Sequence, residues 1–312
     1  MSESSYDLVV VGAGTGMLAA LAAAEAGLSV LIVEKSRYFG GSTALSGGGF
    51  WIPNNRLLRE AGVVDSPERA REYLHHVVAG ETPESRWGTH IDLGPDAVEL
   101  LRRRTPLKFQ WMTGYADYFP ELPGGSATGR AMEPKPFDVR RLGPHRARLR
   151  PPALAAPFPM PVSGRTYKWL NLVARHPRGA VTGAKLLGLG LGGLAVHREY
   201  IAGGGALAAG LFAGVCAARI PVWFEAPLTE LLLEGGKVVG VRVTRDGEEV
   251  RVRARRGVLL AAGGFDRNAA LRHEHQSPQL DTAWSLGNPD NTGDTLPIAQ
   301  AAGADLAFLN EA

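Results

Sequence analysis

An α/β fold with a parallel sheet is what the sequence predicts, and three observations carry the prediction. Residues 6–12, YDLVVVG, form a short apolar run rich in β-branched side chains, the pattern of a strand buried on both faces. A glycine turn, GAGTGM, leads into the alanine-rich stretch LAALAAAEAG ending at Gly27, and a second buried strand, LSVLIVE, finishes at Glu34. Far downstream, residues 219–262 read as short strands separated by Gly-Gly and Asp-Gly turns, a β-meander expected mostly to pack against the sheet.

The order strand, glycine turn, helix, strand, acid is that of a Rossmann-like dinucleotide-binding unit. Gly12 makes the tight turn, and Gly14 removes a side chain where a pyrophosphate approaches the backbone. The helix start then offers free N–H groups and the positive end of its dipole. The third glycine of the fingerprint comes one residue early, at Gly16, with Met17 in its usual place. Packing of the helix on the sheet is therefore expected to use Gly16. Expected contacts in this turn are Gly12, Ala13, Gly14, Gly16 and Met17. Glu34 lies 22 residues after Gly12, where a carboxylate accepts hydrogen bonds from a ribose diol. An acid there repels a 2′-phosphate and disfavours NADP.

Composition bounds the remaining options. The 312 residues suffice for one large domain or two ordinary ones, and 45% hydrophobic with 21% charged residues describes a globular chain with a real core. A net charge of +3 is too mild to suggest a nucleic-acid partner, and no aromatics interleave the basic runs. Those runs (102–104, 140–150 and 253–256) read as solvated faces, the central one being the candidate to meet an acidic lipid or partner. A single cysteine, Cys216, excludes an internal disulfide and fits a reducing, cytoplasmic setting. Its apolar surroundings predict a buried structural thiol. The N-terminus has no basic n-region or cleavage site, so no signal peptide is expected. The apolar stretch 180–196 is too short and glycine-rich to span a bilayer and carries Lys185. A core or cap helix is expected there, with peripheral membrane contact as the alternative. His75, His76, His273 and His275 lack a tetrahedral partner set, so no metal site is expected. No hydrolase signature is present.

After Glu34 the chain enters EKSRYFGGSTALSGGGFWIPNN (34–55), rich in backbone N–H and small hydroxyls and suited to a longer, folded-back ligand. This segment resembles the FAD loop of the fumarate reductase/succinate dehydrogenase flavoproteins. GYADYFPELPGG (114–125), GRAMEPKPFD (129–138) and RHPRG (175–179) are similar to its 3-ketosteroid Δ1-dehydrogenase branch in particular. RGVLLAAGGFDRN (256–268) and DNTGDT (290–295) resemble two further family motifs, with Thr295 where glycine is usual. The resemblance covers nearly the whole chain. It implies FAD as cofactor, with Glu34 and Lys35 at the ribose end and Gly40, Gly41, Ser42 and Thr43 at the pyrophosphate. It implies Ser46, Gly47 and Gly48 beneath the isoalloxazine, and Phe50–Trp51 turning the chain toward a hydrophobic substrate. Leu228, Ala261, Ala262, Gly263, Asn291 and Asp294 complete the implied cofactor contacts.

The implied reaction is 1,2-desaturation of a 3-ketosteroid: a base removes the proton α to the ketone while the β hydrogen leaves as hydride to flavin. Tyr118 then occupies the position of an active-site tyrosine that supports the base, with Tyr115, Trp111 and Phe119 beside it. A hydrophobic, steroid-like substrate and an acceptor such as a quinone are the implied partners. The expected organisation is a first part of the FAD-binding domain (1–110), a tyrosine loop with helical insertion (111–200) and a second part (201–312). The base tyrosine and the rest of the catalytic domain are expected beyond residue 312, so the isolated chain is expected to hold flavin weakly and to turn nothing over. Two alternatives stay open: a fumarate-reductase-like flavoprotein, and a non-catalytic FAD-binding fragment.

Overall fold

The computed structural model describes residues 4–152 and 158–310; the outermost residues of the expected first and last segments lie outside them. In chain order the strands are β1 (Ser4–Val11), β2 (Val30–Val33), β3 (Phe50–Trp51), β4 (Phe109–Trp111), β5 (Ala131–Pro134), β6 (Phe137–Asp138), β7 (Tyr200–Ile201), β8 (Val222–Trp223), β9 (Leu228–Glu234), β10 (Lys237–Arg245) and β11 (Glu248–Leu260). The α-helices are α1 (Gly16–Glu25), α2 (Gly41–Leu45), α3 (Arg56–Glu60), α4 (Pro67–Val78), α5 (Glu84–Arg104), α6 (Gly164–Leu170), α7 (Pro177–Ala195), α8 (Gly203–Ala217), α9 (Ala269–His275) and α10 (Thr295–Ala301). Two compact units result: Met1–Leu45, Leu142–Leu154 and Leu211–Ala312 form one, Ser46–Arg141 and Ala155–Gly210 the other.

The first unit is built on a six-stranded sheet in the order β8-β2-β1-β11-β10-β9. Its first four strands run parallel, and β11, β10 and β9 pair antiparallel. The apolar runs behave as their β-branched character demands: Val9, Val10, Leu31, Ile32 and Val33 are all 0% exposed. The meander differs from expectation, because it extends the sheet edge to edge instead of packing on it. The cause is β11, long enough to pair antiparallel with β10 through Arg253 and parallel with β1 through Leu260. A register shift between Tyr6 and Leu8 follows the last residue of β11 that pairs with β10, and there Arg255 turns out to bond Asp7, Ser5 and Ser29. Those bonds, with the Ser29 amide and hydroxyl, hold the Asp7 carboxyl well below the usual range. The predicted Gly-Gly and Asp-Gly turns form with positive φ at both positions, as tight hairpins require.

Helix α1 packs on this sheet through Gly16, as expected from the early glycine. A Cβ there would lie 2.8 Å from Val10 Cγ1. Cys216 corrects the sequence reading: it is exposed. Leu211, Phe212 and Val215 bury the body of α8, but residues 216–219 emerge as the helix ends, so an apolar sequence neighbourhood did not mean a buried thiol.

The second unit contains the three-stranded sheet β3-β5-β4, the small β6-β7 pair, and two helical pairs, α4 with α5 and α6 with α7. Helix α4 starts from Ser66, whose hydroxyl accepts the Arg69 N–H, with Pro67 in the first turn. Helix α7 forms over the expected apolar stretch but is not a core helix. Its buried positions are mainly glycines (Gly179, Gly190 and Gly193, with Leu186), while Val181, Leu189, Leu191 and Leu194 face solvent. Among the described residues no helix is long and apolar enough to cross a membrane.

Candidate functional site

A cleft of about 380 Å³ opens in the first unit where β1, β2 and β11 end and α1 begins. Gly12 has φ +108°, and its absent Cβ would meet the Ala261 carbonyl at 2.3 Å, so the protein itself demands glycine. Gly14 is different. A Cβ there would make ordinary 3.6 Å contacts with Gly40 O and Thr43 Oγ1, at an unstrained φ. Thr15 provides no side-chain cap at the start of α1 and lines the cleft with Gly14, while the Met17 and Leu18 N–H groups donate to the Gly14 and Thr15 carbonyls.

Glu34 ends β2 with both oxygens engaged. Oε2 accepts the Ala13 N–H at 2.8 Å and Oε1 the Ser36 N–H at 2.9 Å. Each oxygen keeps a further lone pair for a hydroxyl donor. Burial pushes the Glu34 carboxyl up from its ordinary range, and the two amides oppose that only in part.

The opposite wall comes from residues 288–295. Asn291 donates to Ser42 Oγ at 2.9 Å and to Asp266 Oδ1 at 2.8 Å, which ties the glycine loop to the far motif. Lys35 Nζ donates to Thr292 Oγ1 at 2.6 Å and Asp294 Oδ2 at 2.5 Å. Arg150 corrects the reading of 140–150 as a solvated face: it is only 7% exposed, pairs with Asp290 and donates to Ser36 Oγ at 2.9 Å. The chain is drawn inward there by the Phe39–Leu149 bridge, in which the Phe39 N–H donates to the Arg148 carbonyl and the Arg150 N–H to the Phe39 carbonyl.

Thirteen of the expected cofactor residues line this one cleft: Gly12, Gly14, Glu34, Lys35, Gly41, Ser42, Thr43, Leu228, Ala261, Ala262, Gly263, Asn291 and Asp294. Ala13, Gly16, Met17 and Gly40 do not line it. Met17 is fully buried and Gly40 N–H donates to Ala13 O, so these residues shape the turn from behind. Thr15 and Asp290 line the cleft without having been singled out, although they stand inside the same motifs, and Asn288 lines it from two residues ahead of DNTGDT.

Ser46, Gly47 and Gly48 belong to the second unit and line a separate, largely apolar cavity of about 480 Å³ with Phe50, Trp51, Tyr73, Met112, Tyr115 and Tyr118. Tyr118 is 84% exposed and Tyr115 48% exposed. The charges beneath this wall escaped the sequence reading. Arg130 is fully buried, donates from Nε to both Asp65 oxygens at 3.0 Å, and pairs with Asp117, next to Tyr118. Asp117 also accepts the Trp51 indole N–H at 2.9 Å and the Ser126 N–H at 3.0 Å. Glu133, 0% exposed, accepts from Gln110 Nε2 and Ser163 Oγ, both at 2.9 Å, at the start of α6. The only sequence signal for these residues was that Asp117, Arg130 and Glu133 sit inside the quoted motifs.

Residues 7–311 match the family described as "FAD binding domain". The chain belongs to this family. Its cofactor is FAD, and the first unit fits that group: a side-chain-free surface at Gly14, an uncapped helix start and a carboxylate with spare lone pairs surround one cleft. The FAD-binding chain is 42% identical to the 3-oxosteroid 1-dehydrogenase of Mycolicibacterium smegmatis, over 100% of its own length and 56% of that protein's. It is 33% identical to the 4-oxocyclohexanecarboxylate 2-dehydrogenase of Sinomonas cyclohexanicum, over 99% of its own length and 52% of the relative's. Among solved structures it is similar to the 3-ketosteroid delta1-dehydrogenase of Sterolibacterium denitrificans in complex with 1,4-androstadiene-3,17-dione. That likeness has a TM-score of 0.92 and 34% identity, covering 98% of this chain and 56% of the other. The chain thus spans about half the length of the relatives it matches.

Proposed function

We propose that this FAD-binding chain serves an enzyme that desaturates a ring C–C bond next to a ketone, with the 1,2-bond of a 3-ketosteroid as substrate. The names of its relatives share a ring ketone and its dehydrogenation. The observation that carries the reading is the apolar cavity of the second unit. Two tyrosine hydroxyls stand there with no hydrogen-bond partner among the described residues. Apolar walls suit a steroid ring system, and unengaged phenols suit proton traffic at a ketone.

In this reading FAD supplies the acceptor for the hydride lost from the β carbon. Glu34 accepts the ribose hydroxyls, and the first-turn amides of α1 with Gly41, Ser42 and Thr43 meet the pyrophosphate. Ser46, Gly47 and Gly48 bring bare backbone to the flavin ring. Tyr118 holds a proton on its Oη and supports the base that takes the α proton. A membrane quinone is a suitable final acceptor. Lipid-soluble substrate and acceptor are both met at a bilayer, so the reading includes a peripheral membrane contact in a reducing, cytoplasmic setting.

The test joins residues 1–312 to the remaining C-terminal part of the Mycolicibacterium smegmatis relative and supplies FAD, an artificial dye and 4-androstene-3,17-dione. Dye reduction by the chimera and none by residues 1–312 alone is the expected result. A flavin-loaded chimera that ignores every ring ketone offered, the small oxocyclohexane acids included, overturns the reading.

A further inference from the structure

Arg150 is a buried cation of the first unit whose presence the fold alone does not explain. It is 7% exposed, and its Nη2 donates to Ser36 Oγ at 2.9 Å and pairs with Asp290. Its Nε, however, is buried with no hydrogen-bond partner among the described residues. A cation taken out of water with one donor unmet is a poor device for stability, above all when its carboxylate partner is still 36% exposed. The side chain is nevertheless held in place. The backbone bonds around Phe39 fix where it starts, and its guanidinium lies 5.4 Å over the Tyr38 ring.

Both partners of Arg150 lead to the ribose end of the cleft. The Ser36 hydroxyl accepts from Arg150 and, at 3.1 Å, from the Tyr38 N–H, and the Ser36 N–H is thereby aimed at Glu34 Oε1. Asp290 lines the wall across from Glu34. Without Arg150, two carboxylates of one cleft would be left without the cation they share. Its charge favours the ionised form of Glu34, which burial and, less strongly, Asp290 oppose. The other charged groups on the surrounding segments have partners of their own. Lys35 pairs with Asp294, Glu225 lies 4.0 Å from Arg148, and Arg37 bonds Tyr38. The turn from β1 into α1 brings no titratable side chain.

We propose that Arg150 is a positioning residue for FAD binding: through Ser36 and Asp290 it holds the Glu34 carboxylate ready for the ribose hydroxyls. It stands behind the cleft, outside its lining, and acts on the cofactor only through Glu34. A protonated Glu34 is a weaker acceptor than an ionised one, so the loss of Arg150 is felt most at low pH. The proposal deepens the cofactor half of the proposed function and rests on its placement of the ribose at Glu34. It needs neither steroid nor turnover.

The experiment titrates the 312-residue chain with FAD from about pH 6 to about pH 8.5, followed by flavin fluorescence quenching. Relative to wild type, Arg150→Gln should weaken binding by up to about tenfold at the acid end, the effect of a one-unit shift in one carboxyl. The ratio should shrink toward the alkaline end, where Glu34 is ionised in both chains. Arg150→Lys, which keeps the charge, should retain most of the affinity. In a Glu34→Gln background Arg150→Gln should change little, because the group it acts through is gone. A flavin-free arm follows the unfolding stability of each chain against its Glu34→Gln counterpart. The pH at which that difference fades should rise with Arg150→Gln and fall with Asp290→Asn, which leaves the cation unopposed. An equal loss at every pH, an Arg150→Gln effect undiminished by Glu34→Gln, or flavin-free profiles that do not move overturns the proposal. If Glu34→Gln itself weakens FAD binding in those cases, the ribose placement stands and only the role of Arg150 falls. If Glu34→Gln leaves FAD affinity intact, both fall.

Discussion

Arg130 and Asp117 are both fully buried and paired with each other, and the residue after Asp117 is Tyr118. The pair thus anchors the loop that exposes the tyrosine. The Trp51 indole, the Ser126 amide and the Asp65 carboxylate complete the satisfaction of these charges. Arg130→Met leaves two carboxylates buried without their cation. A loss of about 3–5 kcal/mol is expected, since removing one partner of a buried pair costs that much. Urea unfolding of the 312-residue chain, followed by tryptophan emission, measures it. Combining Arg130→Met with Asp117→Asn and Asp65→Asn should recover part of the loss.

Gly14 and Gly12 separate what the ligand needs from what the fold needs. Gly14→Ala adds a methyl group that the protein accommodates, so unfolding stability should stay within about 1 kcal/mol of wild type. FAD binding, read by flavin fluorescence quenching, should weaken at least about tenfold, because a close backbone approach is lost. Gly12→Ala collides with the Ala261 carbonyl and should lower stability and flavin binding together.

Gly47 gives the same kind of test at the isoalloxazine end. Apart from its chain neighbours, no atom of the described residues lies within 4 Å of its absent Cβ. Gly47→Ala that left both stability and flavin affinity untouched would remove this residue from the cofactor surface. The expected outcome is intact stability with weaker flavin binding.

Glu34 should betray its burial in the pH dependence of stability. Its folded pKa is raised by burial, so its contribution is fully present below the unfolded value near 4.3 and is lost as pH rises through the folded one. The stability difference between the FAD-free wild type and Glu34→Gln should therefore shrink as pH rises from acid toward neutral. A difference that grew with pH would reverse the sign of this argument. With FAD present the ionised carboxylate gains ribose donors, and Glu34→Gln should weaken binding by about 1.5–3 kcal/mol.

Tyr118 makes no side-chain hydrogen bond among the described residues and is mostly exposed, so Tyr118→Phe should change stability by less than about 0.5 kcal/mol. In the chimera it should lower turnover with flavin content unchanged. Full turnover would exclude the hydroxyl from the reaction.

The legible and illegible parts of this molecule differ in how far their determinants reach. Strand β1, the Gly12–Gly16 turn, helix α1 and Glu34 are local: period, φ preference and spacing specify each from a few neighbours. The hairpin turns at Gly235–Gly236 and Asp246–Gly247 are local in the same way. By contrast, the burial of Arg130 and Arg150 depends on acids 65 and 140 residues away, and nothing in a run of arginines distinguishes a paired core cation from a solvated one. Cys216 misled for the converse reason. Its neighbours are apolar, but its exposure is set by where α8 ends. In α7 the hydrophobic stretch was visible while its inside-out orientation was not, because only packing reveals that glycines take the inner side.

The double allegiance of β11 also dictates an order of events in making the protein. Its C-terminal half is the parallel partner of β1, about 250 residues upstream. At roughly 5–20 residues per second of synthesis, β1 waits on the order of 12–50 s for that neighbour. Throughout this interval the edge of β1 that β11 will cover stays unpaired, a template for strands of other chains. The stage of biosynthesis most exposed to aggregation should therefore end when residues 248–260 leave the ribosome, and a pause in translation just before them should lower the yield of folded protein.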